Sequence, residues 1–476
     1  MKSRSIFRQI NILKRDFAQS TTCRIQQQRR VHSSGPKNTI AARASDSAIP
    51  ISTRRLSHSN KLSLALLPTS SVVRTYMITS MSSSPMLLKA CFAMLRQMLK
   101  SNSIFMNPER NPLLSWVFKQ TFYAQFCAGE NKREVQSTVD ELKHMGYSGT
   151  ILEYALEVLE GEVPTPEETT REIETFRKGM LETIEMARPG DFIGLKWSGL
   201  GRQSLHLLQK NQPPTEAMKR CIYELCDAAK AKGTFFLPGA EEESTGVNSG
   251  IDSWTIDLMR KYNKDKPFMY NTYQCYLKST PRRIAYLLET AEKEGFIPGI
   301  KLVRGAYLSH EPRSAVLQSW EETNEQYDGI VEALLKRKWN ATLPPPSGSS
   351  TDLSTQYSLL LATHNAESIR KAQAIRNEQL KKGEYRVELG YAQLQGMADD
   401  ISCELLDSSR NSAGEPVDKP RIFKAATWGT LTECMNFLLR RAFENQDAMG
   451  RTVETRKAMA NELKRRLLHT IGLRRT

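Results

Sequence analysis

Several polar side chains fall at one kind of place in this chain. Lys196, Gln274, Lys301, Arg304, Thr363, His364 and Asn365 lie on, or just after, the C-terminal ends of short apolar, β-rich runs. In a β/α barrel those ends carry the chemistry. A lone lysine at a strand end is usually solvated, and a lone histidine is usually structural. Their recurrence at the same end of successive strands points to a site. A second group sits on the helical run Leu431–Asn445, which contains Arg440, Arg441 and Glu444. Adjacent helical residues point about 100° apart, so both arginines can grip one anion through charge-assisted hydrogen bonds. Glu444 lies four residues beyond Arg440 and three beyond Arg441, close enough to orient one of them. The commoner fate of Arg-Arg-x-x-Glu is a surface ion-pair network.

The elements that must position these residues follow a repeat. From about residue 149, apolar runs alternate with helical patterns. The runs are Thr150–Tyr154, Phe192–Lys196, Thr234–Leu237, Phe268–Asn271, Ile300–Arg304, Tyr357–Ala362, Arg386–Tyr391 and Arg421–Lys424. Helical spacing marks Glu168–Ala187, Thr215–Lys232, Thr280–Glu294 and Ala366–Lys382. Eight such units predict a distorted (β/α)8 TIM-like barrel with an N-terminal helical extension. The competing fold, a doubly wound sheet, needs a glycine-rich phosphate turn after its first strand. The nearest match, Gly199-Leu-Gly201-Arg-Gln-Ser204, follows the second run and has Ser204 at the third glycine position, so it reads as a barrel loop. Ala341–Gln356, with Pro344-Pro345-Pro346 and Ser347-Gly348-Ser349-Ser350, reads as an exposed insertion.

The net charge is +15, and its distribution matters more than its size. Residues 1–50 hold ten Lys or Arg against Asp16 and Asp46, with Ile6, Phe7, Ile10, Leu13 and Phe17 spaced for a basic amphipathic helix. This is the composition of a mitochondrial transit peptide. A basic RNA-binding arm is the alternative, but no aromatic or glycine-rich pattern accompanies the charge, so no nucleic-acid partner is expected. A second basic cluster lies at Lys464-Arg-Arg466 and Arg474-Arg475. The eight cysteines form no CxxC, no His pair has metal spacing, and no metal is expected. The chain divides into a transit segment (1–60), a helical arm (61–148), the barrel (149–450) and a basic C-terminal helix or tail (451–476). Met86–Leu99 suits an amphipathic helix that either packs on the enzyme or lies on a membrane surface.

Together these motifs resemble the proline dehydrogenase family, in its mitochondrial, fungal-type form. The resemblance is carried by Lys301-Leu-Val-Arg-Gly-Ala-Tyr307 with Glu311, Tyr273-Gln-Cys-Tyr276, Ala362-Thr-His-Asn365, Gln393-Leu-Gln-Gly-Met397 and Leu438-Leu-Arg-Arg-Ala-Phe-Glu-Asn445. Phe122-Tyr-Ala-Gln-Phe-Cys-Ala-Gly-Glu130 looks like the family's lead-in. The resemblance implies FAD bound non-covalently, with contacts from Gln274, Lys301, Arg304, Gly305, Ala306, Thr363 and His364, and Ala240 beside the ring. It implies that Lys196, Arg440 and Arg441 hold the substrate carboxylate and that Tyr307 and Leu394 wall the pocket. It also implies catalytic or supporting roles for Lys301, Tyr307 and Glu444. The implied reaction is oxidation of proline to 1-pyrroline-5-carboxylate in the mitochondrial matrix. Electrons then pass to a membrane quinone, ubiquinone, at the inner-membrane surface. A pyrroline-carboxylate dehydrogenase follows downstream.

Three positions depart from the family pattern. Gly239 stands where Asp is usual, Ala425 where Tyr is usual, and Phe437 where Tyr is frequent. Ala425 removes a ring and a hydroxyl beside the expected substrate. This motivates two alternatives: the same chemistry on a substituted proline such as hydroxyproline, or a flavin-binding barrel impaired in turnover. Trp428 filling the gap is the reading that keeps proline as substrate.

Overall fold

The computed structural model describes residues 64–82, 84–101, 103–156, 161–308, 310–346, 352–410, 417–444 and 452–471. The expected transit segment and Ser347–Ser350 lie outside them. Nine strands occur among the described residues: β1 (Cys127–Gly129), β2 (Gly149–Tyr154), β3 (Phe192–Leu195), β4 (Phe235–Pro238), β5 (Tyr270–Gln274), β6 (Gly299–Val303), β7 (Ser358–Ala362), β8 (Glu388–Leu394) and β9 (Arg421–Trp428). Neighbours run in the order β4-β3-β2-β9-β8-β7-β6-β5, all parallel. The ring closes between β4 and β5 through one bridge, Phe236↔Met269, where the Phe236 N–H donates to the Phe268 carbonyl over 2.9 Å. The fold is therefore the expected eight-stranded barrel. The unforeseen β1 pairs with β9 at Thr427 and Trp428, beyond the point where β8 ends opposite Ala425.

Strand alternation divides the interior into two layers. Ile151, Phe192, Leu237, Tyr270, Leu360, Ala392 and Phe423 form an apolar floor. The Phe192 ring meets Tyr270 and Phe423 edge-on at 5.0 and 5.1 Å. Two residues further along each strand, the inward positions become Glu153, Gly194, Gly239, Thr272, Ala362, Leu394 and Ala425, and these line a cavity. The strand period thus carries the chain from core to site within one step.

Amphipathic helices bury their apolar stripes against the outside of the ring. Helix Pro166–Met186 begins with a capping box between Thr165 and Glu168. Helix Thr280–Glu294 and helix Ala366–Lys382 fall at the expected positions. The segment before β7 is less exposed than its composition suggests: Leu343 and Leu353 are buried, and Arg337 donates to the Leu353 and Ser354 carbonyls at 2.9 and 2.8 Å.

The arm also packs. Helix Pro85–Lys100 turns Phe92 and Met98 inward. Met98, Phe118 and Tyr123 share a core with Leu431, Cys434 and Met435 of helix Leu431–Glu444. Outward, Ile104, Phe105, Met106, Leu113, Trp116 and Val117 are exposed, Phe105 by 82% and Trp116 by 61%. Helix Thr452–Thr470 docks on helix Thr69–Ser82. There Arg466 donates to the Leu64 and Leu67 carbonyls. No helix among the described residues is long and apolar enough to cross a membrane.

Candidate active site

The C-terminal ends of the strands enclose a cavity of about 310 Å³. Lys196, Ala240, Gln274, Lys301, Arg304, Gly305, Ala306, Tyr307, Thr363, His364, Leu394 and Ala425 all line it, so residues spread over two hundred positions meet as the spacing predicts. Arg440 is not among the lining residues. The helix that carries it reaches the cavity through Phe437, and positions three and four beyond Phe437 are Arg440 and Arg441, on the same helical face. The side chains of Arg441 and Glu444 lie outside what the structure describes.

Each wall has identifiable supports. Gln274 ends β5 fully buried; its Nε2 donates to the Glu241 carbonyl at 2.9 Å, and its Oε1 accepts from the Ala306 N–H at 3.3 Å. Its amide therefore ties loops together as well as facing the cavity. The Arg304 guanidinium is directed into a network behind the wall. It donates to Asn324 and to Ser368 Oγ, lies 4.0 Å from Asp328, and stacks over the Tyr327 ring at 4.7 Å. Thr363 Oγ1 accepts from the Asn365 N–H at 3.2 Å. Gly305 adopts φ +148°, and a Cβ there would lie 1.7 Å from the Tyr276 ring, so only glycine fits and the Gly305–Ala306 backbone stays bare towards the cavity.

Lys301 projects inward from β6. Desolvation holds its ammonium below the usual lysine range, and the Glu153 carboxylate pulls it partly back. Glu153 was not foreseen from the sequence. Its inward register, two residues after Ile151, was the available signal, and Gly194 makes room for it: a Cβ there would sit 2.4 Å from Glu153 Cγ. The charged lining is thus Lys196, Lys301 and Arg304 against Glu153. Such a cavity suits an anionic small molecule or cofactor.

The remodelled positions behave differently. Gly239 and Ala425 both face the cavity. A Cβ on Gly239 would meet nothing nearer than the Leu195 carbonyl at 3.6 Å. Trp428 does not fill the gap. It points out of the barrel, stacks on Tyr154 at 4.8 Å, and donates from Nε1 to Thr183 Oγ1 at 3.0 Å. It lies three positions beyond Ala425 along β9, an odd step that puts the two on opposite faces. Among the described residues no cluster of His, Cys, Asp or Glu could hold a metal ion.

Comparison with known proteins agrees with this arrangement. The model of the family "Proline dehydrogenase" matches residues 135–454. The probable mitochondrial proline dehydrogenase of Schizosaccharomyces pombe is 30% identical over 409 residues, covering 73% of this chain and 80% of that protein. The hydroxyproline dehydrogenase of Xenopus laevis is 27% identical over 402 residues, covering 75% and 80%. The crystal structure of proline utilization A from Bdellovibrio bacteriovorus, inactivated by N-propargylglycine, superposes with a TM-score of 0.58 at 16% identity. That match covers 81% of this chain but 42% of the longer one, and it speaks to the fold. With the barrel, the cationic cavity and the family match in agreement, the chain belongs to the proline dehydrogenases, FAD-dependent oxidoreductases that act on proline.

Proposed function

We propose that the cavity binds L-proline against FAD and that the enzyme oxidises it to 1-pyrroline-5-carboxylate. The observation that carries this reading is the lining itself, Lys196 and Lys301 against the Glu153 carboxylate, with Arg304 in the wall, at the mouth of a barrel with an apolar floor. Lys196, with Arg440 and Arg441 from the last barrel helix, fixes the substrate carboxylate. Tyr307 and Leu394 wall the ring, Ala425 leaves space beside it, and Glu444 supports the arginines. These contacts would aim the carbon next to nitrogen at the bound cofactor, and proximity and aim supply much of the rate. The cationic lining disfavours the ammonium form, so the amine gives up its proton before hydride leaves. Gln274, Lys301, Arg304, Thr363 and His364, with the bare Gly305–Ala306 backbone and Ala240, hold the cofactor. FAD, when bound, accepts the hydride.

The electrons then pass to ubiquinone. Mitochondrial location is supported by the S. pombe relative; the finer reading is the matrix side of the inner membrane. What supports membrane contact is the outward apolar patch Ile104–Val117, in a region holding Arg74, Lys89, Arg96, Lys100, Arg110 and Lys119 against Glu109. A pyrroline-carboxylate dehydrogenase then takes the product.

A second reading, the same chemistry on a substituted proline, is favoured by the open space at Ala425 and by Trp428 packing elsewhere. Anaerobic titration of the flavin absorbance with proline and with 4-hydroxyproline separates the two. Bleaching by proline alone supports the first reading, and preferential bleaching by hydroxyproline supports the second. A yellow protein bleached by neither indicates a barrel that has lost turnover.

A further inference from the structure

Glu311 is 6% exposed, lies outside the cavity, and has no part in the chemistry above. Its carboxylate gathers three donors. Oε1 accepts from the Glu243 N–H at 2.8 Å and from the Tyr276 hydroxyl at 2.7 Å, and Oε2 accepts from the Ser244 N–H at 3.0 Å. These donors belong to different loops. Glu243 and Ser244 lie in the short 3-10 turn after β4, the loop that begins with Gly239 and Ala240. Tyr276 follows β5. Glu311 itself follows β6, where its N–H donates to the Tyr307 carbonyl at 3.2 Å.

We infer that Glu311 is a positioning residue, which sets the spacing of three consecutive cavity loops and thereby places Ala240, Gly305 and Tyr307 for the reaction. Tyr276 transmits the position, because its ring occupies the space that a Gly305 side chain would need. Tyr307 and Ala240 are the far ends of the same frame, with the Tyr307 hydroxyl 3.5 Å from the Ala240 carbonyl. A buried carboxylate with three donors is held in one geometry, since releasing any donor leaves a desolvated group unsatisfied. An amide cannot replace it. Its NH₂ would face a backbone N–H, losing one bond and adding a repulsion. Burial, and then Glu311 itself, push the Tyr276 hydroxyl's pKa well up, so it stays a donor.

The inference rests on the reading that this cavity takes proline and FAD. The full-length holoenzyme is compared with Glu311→Gln and with Tyr276→Phe, which keeps both backbone bonds to Glu311. Proline KM and kcat, FAD release after removal of free FAD, and the melting temperature are measured. Glu311→Gln raises KM roughly tenfold and speeds FAD release by a similar factor, with kcat within about threefold. Tyr276→Phe moves both in the same direction by about threefold. Wild-type KM and FAD release in Glu311→Gln, with only the melting temperature lowered, overturn the inference. If Glu311→Gln does not fold, unchanged values in Tyr276→Phe overturn it. If the wild type oxidises no proline, the substrate reading has failed, and FAD release alone decides the role of Glu311.

Discussion

The backbone N–H of Leu394 donates to Nε2 of His364 over 3.1 Å, joining the end of β8 to the segment after β7 across the rim of the cavity. A ring nitrogen that accepts this bond carries no proton, so in the neutral ring the proton sits on Nδ1. His364→Ala removes the acceptor and frees Leu394 to move. The proline KM should rise several-fold, with a stability loss of about 1 kcal/mol. Steady-state kinetics and urea unfolding check both.

The space at Gly239 and Ala425 sets ring tolerance. Ala425→Tyr returns a ring to the cavity wall, so the ratio of kcat/KM for proline over 4-hydroxyproline should rise at least about tenfold. A Cβ on Gly239 makes only an ordinary contact, 3.6 Å from the Leu195 carbonyl, so Gly239→Asp should change stability by under about 1 kcal/mol. An unchanged ratio in Ala425→Tyr would show that discrimination lies elsewhere.

Lys301 carries a desolvated ammonium whose pKa is depressed in the fold. Below the depressed value protonation opposes folding, and that cost fades as pH rises through it towards the ordinary lysine range. Lys301→Met should therefore melt at or above the wild type near neutrality, with the difference narrowing at alkaline pH. Its kcat/KM should fall by about tenfold or more. Melting scans across pH, paired with turnover, test the sign.

Phe105 and Trp116 are the two exposed aromatic rings of the segment Ile104–Val117. Replacing both with serine should leave the melting temperature and turnover with a soluble acceptor almost unchanged, because surface substitutions cost within about 0.5 kcal/mol. Cosedimentation with vesicles containing anionic lipid should drop at least about fivefold. Retained binding would exclude this face as the site of membrane contact.

Much of the barrel was legible because helix and strand periods are local. Thr280–Glu294 and Ala366–Lys382 were placed to the residue. The errors have physical causes. β5 was expected at Phe268–Asn271 and lies at Tyr270–Gln274, because Asn263 Oδ1 accepts from the Phe268 and Met269 N–H groups, leaving these residues only the single bridge to β4. Its Asn271, Thr272 and Gln274 are polar residues buried by specific partners, which hydropathy does not register. β9 was cut at Lys424, a charge that reads as a strand end. There it is 1% exposed, bound to Asp399 at 2.7 Å and to the Met397 carbonyl at 2.9 Å. The three-residue β1 is too short to leave a periodic signal. Trp428 as a gap filler failed on parity along the strand.

The ring is fastened unevenly. Between β4 and β5 the main chain supplies one bridge, and side chains do the rest: the Thr272 hydroxyl donates to the Pro238 carbonyl at 2.6 Å, and Gln274 stitches to Glu241. The opposite staves share full ladders. The barrel should therefore open first between β4 and β5. The Phe236 amide, which donates across this seam to the Phe268 carbonyl, should exchange with deuterium ahead of those in β9. The cavity wall beside Ala240 is thus held by fewer main-chain bonds than the wall across from it.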